Sequence, residues 1–360
     1  MGVNDKKDLG IASRLTRIIG TKISTFTGSD RNNSQNNPDD FINNCTSIMV
    51  ATKAFGMGID KSNIRFTVNI NHSGSPEAFV QEAGRAGRDR KLALAVILYS
   101  DFHERGGSLN NTGTVDYSIH KYFYENSFPG KHQEKTIMYY MLEFLDIIAT
   151  TEKENYNSWT KEFKGIMSCI KLLNPNDSVR LTLNYSADAR NFKDINTFLD
   201  KYNERHITFE NFKNALSKSI YRMNCIGLIS DFTQDYTLNK FYLTVCKLPD
   251  GGYFDNLECF LSRYYNKDKA RSEVSRAKSF RGDNEIQKCL GFLTDFIYTK
   301  IANKRRQAIS DMEEFCRIGI SNEDWLKTNE YLKDYLYYYF NSKFSRETYV
   351  TPSGLDYSLT

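Results

Sequence analysis

Three short apolar runs in the first hundred residues constrain the fold more than anything else in the chain: Ser47–Ala51 (SIMVA), Ile64–Ile70 (IRFTVNI) and Ala93–Tyr99 (ALAVILY). Runs of this length, rich in β-branched residues, suit strands that lie inside a sheet. Helical patterns alternate with them. Asp8–Gly20 (DLGIASRLTRIIG) sets Leu9, Ile11, Leu15, Ile18 and Ile19 at near-helical spacing and stops on a glycine. Thr21–Phe26 (TKISTF) reads as a further strand, and Gly28–Asp40 as a polar loop leading into a short helix. Ser75 is placed to cap a helix whose first turn holds Pro76 and Glu77. Strands alternating with helices predict an α/β domain with a parallel, helix-covered sheet.

Beyond Ser100–Thr114 the character changes. Residues 117–150 read as helical and aromatic, and 255–345 as almost continuous helix rich in tyrosine. Between them, Phe209–Val245 gives a long amphipathic helix that breaks at Gly227. A strand, a polar turn through Asp235–Asn239 and a returning strand follow, the pattern of a winged-helix module. At 360 residues the chain has room for two or three domains, and 40% hydrophobic with 26% charged residues excludes wholesale disorder. A net charge of +4 permits a nucleic-acid partner without arguing for one.

Cys45, Cys169, Cys225, Cys246, Cys259, Cys289 and Cys316 stand singly, with no C-x-x-C spacing. That predicts no zinc site and reduced core thiols in a cytoplasmic protein. The start, MGVNDKKDLG, does not resemble a signal peptide, and Lys6 removes the myristoylation pattern. No run reaches the roughly 18 apolar residues of a membrane span.

Two segments carry chemistry. In Val50–Lys61 (VATKAFGMGIDK) a strand leads into a loop where Gly56 and Gly58 allow close approach of a ligand. Asp60 can accept from a ribose hydroxyl and Thr52 can donate to a phosphate, although a Gly-x-Gly after a strand also serves as a plain tight turn. In Gln81–Arg90 (QEAGRAGRDR) two arginines follow glycines at the end of a helix. Guanidinium forks suit the charge of a transferring phosphoryl group, and equally a solvated helix terminus.

In this order the two segments resemble motifs V and VI of the superfamily-two helicases, specifically the RecQ-like branch, and Thr25–Asn32 (TFTGSDRN) resembles the motif preceding them. The resemblance implies a RecA-like second motor domain over residues 1–105, incomplete at its N-terminus. It implies that Arg88 is the arginine finger and Arg85 a second phosphate-facing arginine, with Gln81, Gly84, Gly58 and Asp60 contacting nucleotide. Thr52, Thr27 and Gly28 would touch DNA. ATP and Mg2+ would be held mainly by a first motor domain, because no G-x-x-x-x-G-K-[ST] occurs (Gly130-Lys131 runs into His132) and Asp-Glu is never found.

The family's four-cysteine zinc subdomain has no counterpart here, so a helical connector over 106–205 is expected in its place. A winged helix over 206–248, a helical bundle over 255–345 and a tail over 346–360 complete the expected order. Segments Lys218–Val245 and Ile286–Gly319 further resemble RecQ-like C-terminal regions from Bacteroidetes-type bacteria. In the winged helix, Lys213, Lys218 and Arg222 would face duplex phosphates and Tyr236 would stack at the wing tip. The alternative is a solvated face and a packed ring.

Lys304-Arg305-Arg306 reads as a solvated cluster. Tyr331, Tyr335, Tyr338 and Tyr339 recur at helical spacing and read as a packing stripe. The implied whole is the C-terminal part of an ATP-dependent 3′-to-5′ DNA helicase of repair and recombination. Its partners would be single-stranded and forked DNA, and it would have no ATP turnover of its own. The competing classes are a non-catalytic DNA-binding protein derived from a helicase and an interaction scaffold built on the aromatic helices.

Overall fold

The computed structural model describes residues 10–26, 38–52, 61–102, 114–151, 159–321 and 324–342, with two short paired segments near the C-terminus. Helix α1 (Ile11–Ile19) ends on Gly20, whose φ of 74° lets its N–H reach the Thr16 carbonyl at 2.9 Å. Strand β1 (Ser24–Phe26), helix α2 (Pro38–Ile42) and strand β2 (Met49–Ala51) follow. After β3 (Phe66–Ile70), helix α3 (Pro76–Ala83) opens with Pro76 in its first turn, and the Ala78 N–H donates to Ser75 Oγ at 3.1 Å. Both features are the expected ones. Strand β4 (Leu94–Leu98) and helices α4 (Val115–Ser127) and α5 (Lys131–Glu143) come next.

The middle of the chain contributes β5 (Asp146–Thr151), β6 (Trp159–Lys164), α6 (Ile166–Ile170), β7 (Ser178–Asn184) and α7 (Arg190–Asp200). Then come α8 (Phe209–Cys225), β8 (Ile229–Asp235) and β9 (Lys240–Cys246), followed by α9 (Gly252–Leu261), α10 (Lys267–Lys278) and α11 (Glu285–Phe296). A π-helical stretch, Ile297–Ala302, leads into α12 (Asn303–Ile320), and α13 (Trp325–Ser342) follows. The chain closes with β10 (Tyr349–Val350) paired antiparallel to β11 (Asp356–Tyr357).

These elements form two units, one of residues 1–118 with 308–360 and the other of residues 119–307. This partition differs from the five consecutive segments expected, because the terminal helical stretch is shared between the units. In the first unit the strands of the N-terminal stretch pair in parallel, as the alternation predicts: β1 with β2 in the register Ser24↔Met49, and β3 with β4 from Phe66↔Leu94 to Ile70↔Leu98. A core of Phe79, Met312, Phe315, Cys316, Tyr335 and Tyr339 joins α3 to α12 and α13. Tyr335 and Tyr339 are thus the buried part of the tyrosine stripe.

The second unit is mainly helical, as expected, but five strands among its described residues also form one antiparallel sheet, in the order β6-β5-β7-β9-β8. The helical reading of 117–150 fails after Glu143, where α5 stops and Phe144 and Leu145 both donate to the Tyr140 carbonyl. Beyond it Ile147 and Ala149 are buried while Ile148 faces out, a period of two that makes this segment a strand. The helix and hairpin expected over 206–248 are present, but the hairpin does not stand alone: β9 pairs along its whole length with β7, from Ser178↔Cys246 to Asn184↔Lys240. The connector and the hairpin therefore build one sheet.

Beneath the sheet, Phe212, Leu216, Ile220 and Met223 form the buried stripe of α8, in one core with Leu181, Leu183, Phe241, Leu243 and Val245. Full burial of each such side chain contributes about 1.5–3 kcal/mol. Expected to be core thiols throughout, the cysteines divide: Cys169, Cys289 and Cys316 are buried, whereas Cys45 and Cys259 are exposed. Among the described residues no helix is long and apolar enough to cross a membrane.

One glycine is required by close packing. Gly165 joins β6 to α6 at φ 72°, with its N–H on the Leu145 carbonyl at 2.8 Å, and a Cβ there would run into the Leu142 carbonyl and the Glu143 backbone. Gly165→Ala therefore combines left-handed strain with overpacking, and is expected to destabilise the second unit by about 2–5 kcal/mol. Urea denaturation followed by tryptophan and tyrosine fluorescence measures it; a midpoint equal to wild type contradicts this packing.

Candidate nucleotide and nucleic-acid site

The arginine segment occupies the end of α3 and the turn beyond it. Gly84 N–H donates to the Val80 carbonyl at 2.9 Å, Arg85 N–H to Glu82 at 3.3 Å and Ala86 N–H to Ala83 at 3.1 Å, so the helix unwinds by short-range bonds. Gln81 is exposed on the last turn of α3; Arg85 is half-buried and Arg88 exposed on the turn that follows. Gly87 is the pivot: at φ 70° its Cβ would sit 3.0 Å from the Lys91 carbonyl, and its N–H donates to the Ile64 carbonyl at 3.0 Å.

A bidentate ion pair locks the same turn. Arg65 donates to Asp89 at 2.5 Å and 3.1 Å, and Asp89 also accepts from the Lys91 N–H at 3.2 Å. The side-chain hydrogen bond to Arg65 holds the Asp89 carboxyl below the usual carboxylate range, and Asp89 in turn raises Arg65. Leu94 N–H closes the loop on the Arg65 carbonyl at 2.8 Å. The turn bearing both arginines is thus tied to Ile64 and Arg65, which enter β3 just after the glycine loop of the other motif.

Of the glycine-loop residues, Thr52 lies at the exit of β2, where its N–H donates to the Phe26 carbonyl at 3.0 Å and its side chain is exposed. Thr27, Gly28, Gly56, Gly58 and Asp60 lie outside the described residues. Lys61, directly after Asp60, is buried, and its ammonium donates to the Asn44 side chain at 2.5 Å and the Ile42 carbonyl at 3.2 Å. Asn63 donates to the same Asn44 oxygen at 2.9 Å.

Behind α3, Glu82 accepts from Ser73 Oγ at 2.5 Å and from the Asn69 side chain. Lys61, Arg65, Glu82 and Asp89 were not among the residues expected to matter. Their signal in the sequence is only a charged residue flanking each motif, and the partners of Glu82 and Lys61 lie up to 19 residues away.

In the second unit the expected row of cations on α8 is not a row. Arg222 is turned inward onto buried Glu134 at 2.9 Å, and the Tyr298 hydroxyl donates to the other Glu134 oxygen at 2.9 Å. The Lys218 ammonium donates to the Asn126 carbonyl, and burial depresses its pKa. Lys213 pairs with Glu210 at 2.8 Å one turn earlier. The expectation that Lys218 and Arg222 face duplex phosphates is therefore corrected: both charges are consumed by internal acceptors.

Tyr236 is different. It stands at the tip of the β8–β9 turn, 74% exposed, on a loop held by Asp235 Oδ1 accepting from the Thr237 and Leu238 N–H groups, each at 2.9 Å. Among the described residues no group of three or more His, Cys, Asp and Glu is arranged to hold a metal ion.

The Arg65–Asp89 tie has a pH signature. Because the folded pKa of Asp89 is depressed, its contribution to stability is complete above the unfolded carboxylate value of about 3.9 and is lost as pH falls through the folded value. The urea midpoint of wild type is expected to exceed that of Asp89→Asn at pH 6, with the gap shrinking below about pH 4. A gap independent of pH down to 2 contradicts the ion pair.

Residues 3–90 match the model of the helicase conserved C-terminal domain. The ATP-dependent DNA helicase RecQ of Bacillus subtilis (strain 168) is 53% identical over 60 residues, which is 17% of this chain and 10% of that protein. RecQ of Pasteurella multocida (strain Pm70) is 56% identical over 52 residues, 14% of this chain and 8% of its own length. ATP-dependent DNA helicase Q-like SIM of Arabidopsis thaliana is 42% identical over 97 residues, 27% of this chain and 11% of its own length. The chain thus spans about a tenth of the curated relatives it matches. With the arginine turn tied to Ile64 and Arg65 and RecQ relatives above 50% identity over 52 to 60 residues, residues 3–90 are a RecQ-like helicase conserved C-terminal domain.

Proposed function

We propose that the chain is the C-terminal part of an ATP-dependent, 3′-to-5′ RecQ-like DNA helicase that supplies the arginine finger and DNA-contacting elements to a motor completed by a first motor domain. One observation carries the reading: Arg85 and Arg88 sit on a turn clamped by Gly87 and by the Arg65–Asp89 pair, inside the residues that match the helicase conserved C-terminal domain. A rigid mount is what a guanidinium needs to meet charge that develops during phosphoryl transfer, because unspent reorganisation is the source of the rate gain.

In this reading Arg88 acts on the phosphoryl group as it transfers and Arg85 holds the neighbouring phosphate oxygens. Gln81 and Gly84 contact the nucleotide along the same helix end, and Gly58 with Asp60 complete the contact from the glycine loop. ATP with Mg2+ supplies the free energy when bound. The donors on this chain are cationic, so they fit the phosphates; the described residues offer no carboxylate cluster for the metal, which the reading assigns to the other motor domain. Thr52, with Thr27 and Gly28, would follow the backbone of single-stranded DNA.

α8 with the β8–β9 hairpin would serve as the winged helix, and the exposed Tyr236 would stack on the last base pair of a forked duplex, a contact of about 1–3 kcal/mol. A non-catalytic DNA-binding role is the second reading. It is favoured by the lack of any G-x-x-x-x-G-K-[ST] in this sequence, and opposed by the braced arginine turn.

Two measurements test the proposal. The chain alone is expected to show no ATP turnover with or without single-stranded DNA; with a RecQ-type first motor domain added, DNA-stimulated turnover is expected to fall about 10³–10⁵-fold in Arg88→Ala. Turnover by the chain alone that Arg88→Ala abolishes would show a complete site and overturn the half-motor reading. With forked DNA, Tyr236→Ala is expected to slow strand separation while leaving single-stranded DNA binding within about twofold. Equal unwinding by the two proteins removes Tyr236 from that role.

A further inference from the structure

Helix α3 is held along its length by residues more than 200 positions away. Near its start, Tyr339 Oη donates to Glu77 at 3.2 Å; at its middle, Phe79 meets Phe315 with ring centroids 5.5 Å apart. The third hold is polar and buried. Glu313 on α12, 7% exposed at its side chain, accepts from the Tyr99 hydroxyl at 2.7 Å and the Thr114 hydroxyl at 2.9 Å. Its other oxygen lies 3.2 Å from Nε2 of His72, whose ring is fully enclosed.

From His72 the contacts run on toward α3. Nδ1 of His72 is 2.8 Å from the Ser73 carbonyl, Ser73 Oγ donates to Glu82 at 2.5 Å, and the Glu82 carbonyl accepts the Arg85 N–H at 3.3 Å. Burial pushes the Glu313 carboxyl up, but His72, Tyr99 and Thr114 outweigh it and hold the group below its ordinary range. Arg317 adds a weaker contact at 3.7 Å, and Asp116, which accepts the Ser100 N–H at 3.2 Å, is buried nearby.

From this geometry we infer that Glu313 is a positioning residue for the arginine turn: through His72, Ser73 and Glu82 it fixes the rotation of α3, and with it the placement of Arg85 and Arg88. The inference rests on the nucleotide reading of those arginines. The apolar contact of Phe79 with Phe315 would suffice to attach the helix. An apolar contact tolerates sliding and rotation, however, whereas the directional bonds of Glu313 to Tyr99 and Thr114 and of Ser73 to Glu82, joined by the 3.2 Å contact of Glu313 with the enclosed His72 ring, favour one arrangement. The buried carboxylate is costly as mere filler, since its removal from water is offset only if every partner is in place. Its partners come from β4's end, from the residue before α4 and from the loop before α3, so one carboxylate registers three segments against α12.

The test uses the full chain with the variants Glu313→Gln and Tyr99→Phe, and Cys316→Ala as a control that loosens the same apolar core without touching the polar chain. NMR follows the His72 ring nitrogens and the Nε–Hε groups of Arg85 and Arg88, and hydrogen exchange follows the α3 amides. Glu313→Gln is expected to shift the His72 and arginine resonances and to speed exchange of the Gly84 amide about tenfold, with Tyr99→Phe giving smaller changes of the same kind. Cys316→Ala is expected to lower stability while leaving those resonances in place.

If Glu313→Gln does not fold, Tyr99→Phe decides. Arginine resonances unmoved in a folded Glu313→Gln, or in Tyr99→Phe when that variant decides, overturn the inference. With a first motor domain added, Glu313→Gln is further expected to lower kcat about 10–100-fold at nearly unchanged KM for ATP, the mark of misplacement rather than lost binding. Unchanged kcat would also overturn it. Because the spectra need no nucleotide, they stand even if Arg88→Ala proves to have no effect on turnover, a result that would sink the helicase reading instead.

Discussion

The turn that carries Arg85 and Arg88 has no ladder or helix of its own, so its shape depends on the tie between residues 64–65 and 87–89. One backbone bond, from Gly87 N–H to the Ile64 carbonyl, and one bidentate ion pair make that tie, and Leu94 N–H on the Arg65 carbonyl closes the loop behind it. Remove it and the glycines would leave the loop a broad choice of conformations, since Gly84 and Gly87 carry the largest backbone entropy of any residue type. An exposed ion pair is worth little to global stability. Here its effect is local: Arg65 stands next to the strand, Asp89 next to Arg88, and the pair transmits the strand's rigidity to the turn.

Charge pairing has the opposite consequence in the second unit. Glu134 is buried, and a buried carboxylate left unpaired is strongly unfavourable. Arg222 and Tyr298 satisfy it, and Lys218 is drawn onto the Asn126 carbonyl beside them. Those partners stabilise the joint between α5, α8 and the π-helical stretch, and a π insertion sets Tyr298 there without breaking the helix. The cost falls on the surface of α8, which loses two of the three cations that its sequence seemed to offer to phosphates. The exposed hairpin tip with Tyr236 keeps its exposure because Asp235 holds it with its own backbone N–H groups and leaves the ring unused.

Legibility in the sequence followed the range of the interactions. The capped start of α3, the glycine stop of α1, the parallel strands and the helix-then-hairpin over 206–248 depend on neighbours a few residues apart, and all were readable. So was the arginine turn, because its glycines and arginines lie in one short motif. The strands β5 to β7 were not readable: Asp146–Thr151 follows an aromatic helix without a break signal, and only the pairing with β7 and β6 reveals its alternation. The inward turn of Lys218 and Arg222 was equally hidden, since their partners Asn126 and Glu134 are 92 and 88 residues away. Helical spacing places a charge on a face; it does not say whether that face is covered.

The longest-range contacts also order the assembly of the chain. The Tyr99–Glu313 bond spans 214 positions, and a flexible loop of that length costs about 5 kcal/mol of closure entropy beyond its constant part. One hydrogen bond, worth about 1 kcal/mol, cannot hold such a loop closed. Two features offset the cost. The intervening residues 119–307 form a unit of their own, whose folding replaces most of the flexible loop with a fixed body. The returning helices then bring a cluster of aromatic and aliphatic groups, Met312, Phe315, Tyr335 and Tyr339, onto Phe79, each contributing more than any single polar contact. The apolar cluster therefore supplies the attachment of α12 and α13 to α3, and the buried polar chain through Glu313, too weak to close the loop alone, is left to set how the attached helices are aligned.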